Sequence, residues 1–293
     1  MVAIVQKKAS KHGFWSQLGQ LPRAWVGAFM VGFMILGATL IPLLVQLDPL
    51  RQFPDGVSVT GTPLPPSSIF PFGTDHLGRD LFSRLIYGGR ISLFISLAAN
   101  LSAAVFGTAI GIIAGYYGDV IDTILMRVTD VILAYPAVLL ALGLGAVLRP
   151  SIPVVILILM LVTWPALARL VRSQTFSVRE RQFVESARAS GATDTYIMFR
   201  HILPHVITVS VVWFTLSIAS TILIESALSF LGVGVPLPTA SWGNMILEGQ
   251  SRYRIAPWMI LLPTSAILIT TLGFNLLGDA VRDALDPRTS LRL

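Results

Sequence analysis

Six stretches of this chain are long and apolar enough to cross a bilayer, and that leaves few folds open. A helix needs about 20 mainly apolar residues to pass the hydrocarbon core. In lipid, only helices and closed barrels satisfy every backbone polar group. The stretches run from Trp25 to Leu47, Ile91 to Tyr116, Ile121 to Leu148, Pro153 to Val171, Val206 to Leu231 and Pro257 to Leu277. The expected fold is therefore all-α, a polytopic membrane protein with six transmembrane helices. Residues 1–24 read as an amino-terminal segment, 25–277 as the membrane domain and 278–293 as a tail. The chain has 293 residues, 54% hydrophobic and 12% charged, with mean hydropathy +0.75, which excludes an ordinary soluble domain. Pro42, Pro136 and Pro165 fall inside spans, where a bundle tolerates proline if neighbours satisfy the freed carbonyls. No cleavable leader is expected, because the first apolar run is of spanning length.

Basic residues orient the spans. With the amino terminus inside, 14 of the 21 Lys and Arg residues fall on the inner side and 7 on the outer, and inversion reverses the ratio. Outer loops then cover 48–90 and 232–256, with both termini cytoplasmic. The first outer loop conflicts in part, since it holds Arg51, Arg79, Arg84 and Arg90. The net charge of +6 is explained by such basic flanks and needs no nucleic acid. Zero cysteine excludes disulfides, thiolate metal sites and Cys nucleophiles.

A polar island, residues 177–204, interrupts the apolar pattern on the inner side. Ser177 with Glu180 fits a capping box, so a helix is expected to begin there. Gly191 supplies a left-handed stop, Thr193 and Asp194 can open a second helix, and Pro204 marks the next break. A helix, a turn and another helix suit docking more than catalysis. The lysines are Lys7, Lys8 and Lys11 alone, and none follows a Gly-rich turn, so the chain carries no phosphate-binding P-loop. If ATP hydrolysis drives this protein, a separate subunit must bind the inner face, and 177–204 is the inner loop large enough to receive it.

Other residues carry competing readings. In Phe72 to Leu93, Gly73 and Gly78 allow tight turns, and Asp75 and Asp80 can cap helices or pair with Arg79 and Arg84. From Asp80 onward, Leu81, Phe82, Leu85 and Ile86 form an apolar helical face suited to the membrane surface. Capping by Asp75 and a surface position for His76 are preferred to a metal site, because no third ligand is near in sequence. Asp130 and Glu225 are the ionisable residues most securely inside spans. Asp130 is expected to pair with Arg127, three residues earlier. Glu225 has no local basic partner and must face the bundle interior, a partner helix or an aqueous path. Packing or gating suits it better than a proton relay. Trp242 is placed at the outer interface.

Glu185, Ser186, Ala187, Gly191, Leu203 and Pro204 fall at the spacing of the EAA loop, which this island resembles, in permeases of bacterial ABC importers. Ser186 replaces the usual Ala, and His201 stands where Ile is usual. Phe72-Gly-Thr-Asp-His-Leu-Gly-Arg-Asp80, with Gly73, Thr74, Asp75, Gly78, Arg79 and Asp80, is similar to the signature of the "C" permease of the dipeptide, oligopeptide and nickel group. Residues 236–246 are similar to that family's outer loop, and Phe274 to Arg288 to its carboxyl-terminal signature. The resemblance implies a permease subunit in a bacterial or archaeal plasma membrane, with no catalytic residue, no metal and no cofactor of its own. Its partners would be a homologous B-type permease, two ATPase subunits that bind ATP and Mg, and an extracytoplasmic binding protein. Peptides are the implied cargo, with nickel chelates, glutathione or oligosaccharides as alternatives. A secondary transporter or channel acting alone would instead need inverted repeats and several midplane charges. An intramembrane enzyme would need a nucleophile–base or metal constellation. A DNA-binding helix-turn-helix at 177–204 is excluded by spans on both sides.

Overall fold

The computed structural model describes residues 14–285. Lys7, Lys8, Lys11, Arg288 and Arg292 lie outside the described residues, as does the end of the carboxyl-terminal signature. Among the described residues the regular structure is helical, and extended pairing is limited to isolated bridges within 52–80. The helices are α1 Phe14–Gly19, α2 Pro22–Leu44, α3 Leu81–Tyr117, α4 Asp119–Leu133, α5 Ala137–Val147 and α6 Ile152–Arg179. They continue with α7 Gln182–Ala189, α8 Asp194–Ile197, α9 Leu203–Phe230, α10 Trp242–Gly249 and α11 Trp258–Leu285.

Five helices have spanning length and composition: α2, α3, α6, the α8–α9 rod and α11. The expected third span is not one straight helix. Pro136 lacks an N–H and disfavours helical backbone at Tyr135, so the chain leaves the helix at 134–136 and α4 meets α5 at 87°. The pair still crosses as a unit. Its start, Gly118, lies against Arg179 at the end of α6, whereas Gly145 of α5 packs on Val233 beyond the end of α9.

Contacts between helix ends sort the chain onto two faces. On one, Arg23 of α2 pairs with Asp283 of α11, and the Arg179 guanidinium donates to the carbonyls of Gly115 and Tyr116 at 3.0 and 3.3 Å. On the other, the 45–80 loop meets α10, and Trp258 Nε1 donates to the Thr74 carbonyl at 3.3 Å. Six crossings thus place the start of α2 and the end of α11 on the face that carries α7 and α8.

Several boundaries move. α3 begins at Leu81 rather than Ile91, because Asp80 caps it by accepting from the backbone N–H of Phe82 and Ser83. Leu81, Phe82, Leu85 and Ile86 are therefore the first turns of α3, and the loop before it ends at 80, not 90. α11 runs to Leu285, so residues 278–285 continue the last helix.

The packing of α3 on α6 is the most extensive in the fold. A Cβ built on Gly107, Gly111 or Gly115 would lie 2.8, 2.6 and 2.8 Å from the carbonyl oxygens of Trp164, Ala168 and Arg172. These three glycines, spaced by four, let two backbones approach as membrane helices do when small residues line the contact.

Candidate functional site

The 177–204 island is a helical pair built into the bundle. α6 does not restart at Ser177: Val171, Thr175 and Val178 continue its buried stripe at three- and four-residue spacing, so the helix runs on to Arg179 and breaks at Glu180. α7 follows with Arg181 at its N-cap and no side-chain cap bond. Gly191 does supply the left-handed turn, with φ +82°. Thr193 caps α8 by accepting from the Tyr196 N–H at 3.4 Å. The break expected at Pro204 is absent. A widened π-type turn at Met198–Ile202 shifts the hydrogen bonds, with the Leu203 N–H reaching the Met198 carbonyl. Pro204 then stands in the first turn of α9, where no N–H is required.

Val184, Ile197 and Ile202 have no exposed surface and share a core with Ile112, Tyr116, Val171 and Val178 of the spans. The Tyr116 hydroxyl donates to Asp194 at 2.6 Å, and the Arg188 guanidinium lies 5.7 Å from the Tyr116 ring centroid. Glu185, Ser186 and Arg188 remain exposed on α7. The pair is thus anchored through one side and open on the other. Gly191→Val is expected to strain the turn by about 1–2 kcal/mol, since a β-branched residue resists left-handed backbone. Amide exchange across α7 and α8 should rise while that of α3 and α6 holds; unchanged exchange in α7 would show that the turn tolerates the side chain.

The outer signature builds a buried cluster of four charges. Arg79 Nε donates to Asp75 Oδ2 at 2.6 Å, and its Nη2 donates to both Glu248 oxygens at 3.1 and 3.0 Å. Arg84 reaches Asp75 at 2.7 Å and Glu248 at 2.8 Å. Asp75 also accepts from the backbone N–H of Leu77 and Arg79. Gly73 and Gly78 have φ of +76° and +73°, as tight turns require. Thr74 donates to the Gly56 carbonyl at 2.6 Å and closes the loop. Glu248 of α10 is the member that sequence reasoning missed, because it lies far along the chain. It also corrects the argument against a metal: Asp75, His76 and Glu248 bring ligand atoms within 4.8 Å of one another. Both carboxylates, however, already hold two guanidinium groups, whose charge opposes a cation. His76 is half-buried, and burial lowers its pKa below the usual imidazole value, against the pull of Asp75 and Glu248.

Trp242 is not an interfacial anchor. It is 1% exposed, and its Nε1 donates to the Leu85 carbonyl at 3.2 Å within the core. Glu225 faces the interior as expected, accepting from Ser229 Oγ at 2.9 Å and Ser226 Oγ at 3.4 Å. Ser229 in turn accepts from the Val235 N–H at 3.1 Å, which ties the carboxylate to the loop after α9. Asp130 pairs not with Arg127 but with Arg169 of α6, since the crossing of α4 over α6 brings the longer-range partner closer. Asp122 forms a second pair across the same helices, with Arg172. Asp122, Arg169 and Arg172 are further charged residues that join α4 and α6.

The sequence profile of the family described as "Binding-protein-dependent transport system inner membrane component" matches residues 107–291. The chain is 39% identical over 274 residues to the dipeptide transport system permease protein DppC of Alkalihalophilus pseudofirmus, covering 94% of this chain and 88% of the relative. It is 40% identical over 283 residues to the glutathione transport system permease protein GsiD of Escherichia coli, covering 97% and 92%. A putative peptide transport system permease protein of Brucella abortus is 41% identical over 266 residues, covering 91% and 88%. A solved structure of the inward-facing MetNI methionine ABC transporter aligns with a TM-score of 0.55 at 17% identity, over 70% of this chain and 98% of that one, a likeness of fold. The chain belongs to the family of binding-protein-dependent transport system inner membrane components, and is an integral-membrane permease of an ABC importer in the C-type branch of the peptide and nickel group.

Proposed function

We propose that this permease forms half of the translocation path for di- or oligopeptides, with a homologous B-type permease as the other half. Two ATPase subunits, which hold ATP and Mg, bind the face carrying α7 and α8. That face and both termini are cytoplasmic, and an extracytoplasmic binding protein delivers substrate to the opposite loops. The observation that carries this reading is the two-sided build of the α7–α8 pair: Val184 and Ile197 are sealed into the spans while Glu185, Ser186 and Arg188 stay open. A surface anchored in this way transmits a push from a partner to the spans. Arg79 and Arg84, two of the arginines that count against this orientation, are held in ion pairs by Asp75 and Glu248. Peptide cargo is supported by the relatives named for dipeptide, peptide and glutathione transport.

Glu185 offers a carboxylate to a basic or hydrogen-bonding group of the ATPase. Truncating one member of such a charged contact costs about 2–5 kcal/mol. Glu185→Ala is expected to weaken ATPase assembly or separate hydrolysis from uptake, with binding-protein docking retained. Co-purification followed by vesicle uptake checks this; a variant that retains its ATPases and transports at the unaltered rate would leave Glu185 a solvated helix charge.

A further inference from the structure

α4 presents three sides. Asp122 and Thr129 are buried toward α3 and α6. Val120, Ile124, Val128 and Val131 form an exposed apolar side. Thr123, Arg127 and Asp130 form a third side, polar and exposed, at the three- and four-residue spacing of one helix face. The Asp130–Arg169 pair leaves 48% and 50% of its side chains open. Arg127 has no ion pair among the described residues, so this patch holds two cations and one anion. Arg169 lies near the inner end of the apolar stretch Pro153 to Val171, ten residues before α6 ends. A charge within such a stretch turns away from lipid, toward the bundle interior or water.

A second observation falls beside them. Ala134, Tyr135 and Pro136 leave the helix and are exposed. Irregular backbone at membrane depth is tolerated where protein buries it or where it lines a water-filled cavity. Exposed charge and exposed irregular backbone, adjacent on one helix, have the same physical remedy.

We propose that this side of α4, with Arg169, lines the aqueous translocation path, and that Asp130 and Arg127 receive the ammonium and carboxylate ends of a zwitterionic peptide. The inference rests on the importer reading above. Side chains three residues apart are about 5–6 Å apart at Cβ, and an extended dipeptide reaches about 7 Å, so both ends can be met at once. Arg169 acts as a positioning residue, holding Asp130 toward the path.

The chain has no cysteine, so single cysteines report on one position each. In the assembled complex in vesicles, Thr123→Cys and Ala134→Cys should react with a membrane-impermeant thiol reagent, and Val128→Cys should not. Protection of both polar-side positions in resting and ATP-bound states would place a protein contact there and overturn the proposal. For transport of a dipeptide at saturating binding protein, Arg127→Gln should slow the rate about tenfold, equivalent to about 1.4 kcal/mol, with assembly retained. The exchange Asp130→Arg with Arg169→Asp preserves the ion pair but moves the anion. It should stay slow, and recovery to the unaltered rate would show a structural pair only. An unaltered complex that moves no dipeptide would refute the peptide reading, and the labelling alone would then decide whether the path runs here.

Discussion

Arg84→Met is expected to lower the stability of the purified permease by about 3–5 kcal/mol, the usual consequence of removing one partner from a buried ion pair. The Arg84 side chain is 0% exposed and lies between Asp75 and Glu248. Without it, two buried carboxylates share the single guanidinium of Arg79, and a surplus negative charge is stranded in low dielectric. Methionine fills the volume, so the loss reports the charge rather than a cavity. Adding Glu248→Gln restores the balance, and part of the loss should return through a coupling of about 0.5–3 kcal/mol. Thermal unfolding in detergent measures both variants, and an unshifted midpoint for Arg84→Met would mean that the four charges do not form one cluster. The same cluster joins the 45–80 loop to α10, so amide exchange in both should rise as stability falls.

A comparable loss is expected from Gly111→Val. A Cβ there would lie 2.6 Å from the Ala168 carbonyl and 2.7 Å from Val171 Cβ. The first obstacle is backbone and cannot rotate aside, so α3 and α6 must separate along their contact. Overpacking costs about 1–3 kcal/mol and occasionally more, and the rigid neighbour puts this site at the upper end. Gly32→Val on α2 is the comparator, because a Cβ at Gly32 meets nothing within 4 Å. The yield and melting temperature of detergent-solubilised protein should fall for the first and hold for the second. Equal behaviour would show that α3 and α6 can accommodate the extra methyl groups.

Much of the architecture was legible because lipid demands long apolar helices. α2, α6 and α11 follow directly from hydropathy, and Gly191 and Thr193 act as their residue types require. Where the structure departs from the local signal, tertiary contacts that sequence spacing does not display override it. Ser177 with Glu180 looked like a helix start, but the buried stripe through Val178 keeps α6 intact. Pro204 looked like a break, but the widened turn before it restores the helix. Pro136 was granted the tolerance that Pro42 and Pro165 enjoy, yet it alone of the three parts its helix. Asp130 was assigned its neighbour Arg127, while its partner stands 39 residues away. Glu248 completes the outer cluster from 169 residues beyond Arg79, a distance no motif bridges. The glycines at 107, 111 and 115 did carry a readable signal, their spacing of four in an apolar run.

α3 enters both of the polar assemblies described above. Its first turns hold Arg84 in the outer cluster, and its last turn offers Tyr116 to Asp194 and two carbonyls to Arg179. It contains no proline and is unbroken over 37 residues, about 55 Å at 1.5 Å per residue. A rod of that length is a lever arm, and a tilt of about 5° at one end swings the other by about 5 Å, close to one helical turn. The two faces of the membrane are therefore in mechanical register through a single helix, and a change of seat at either end is felt at the other as a displacement the size of a side chain.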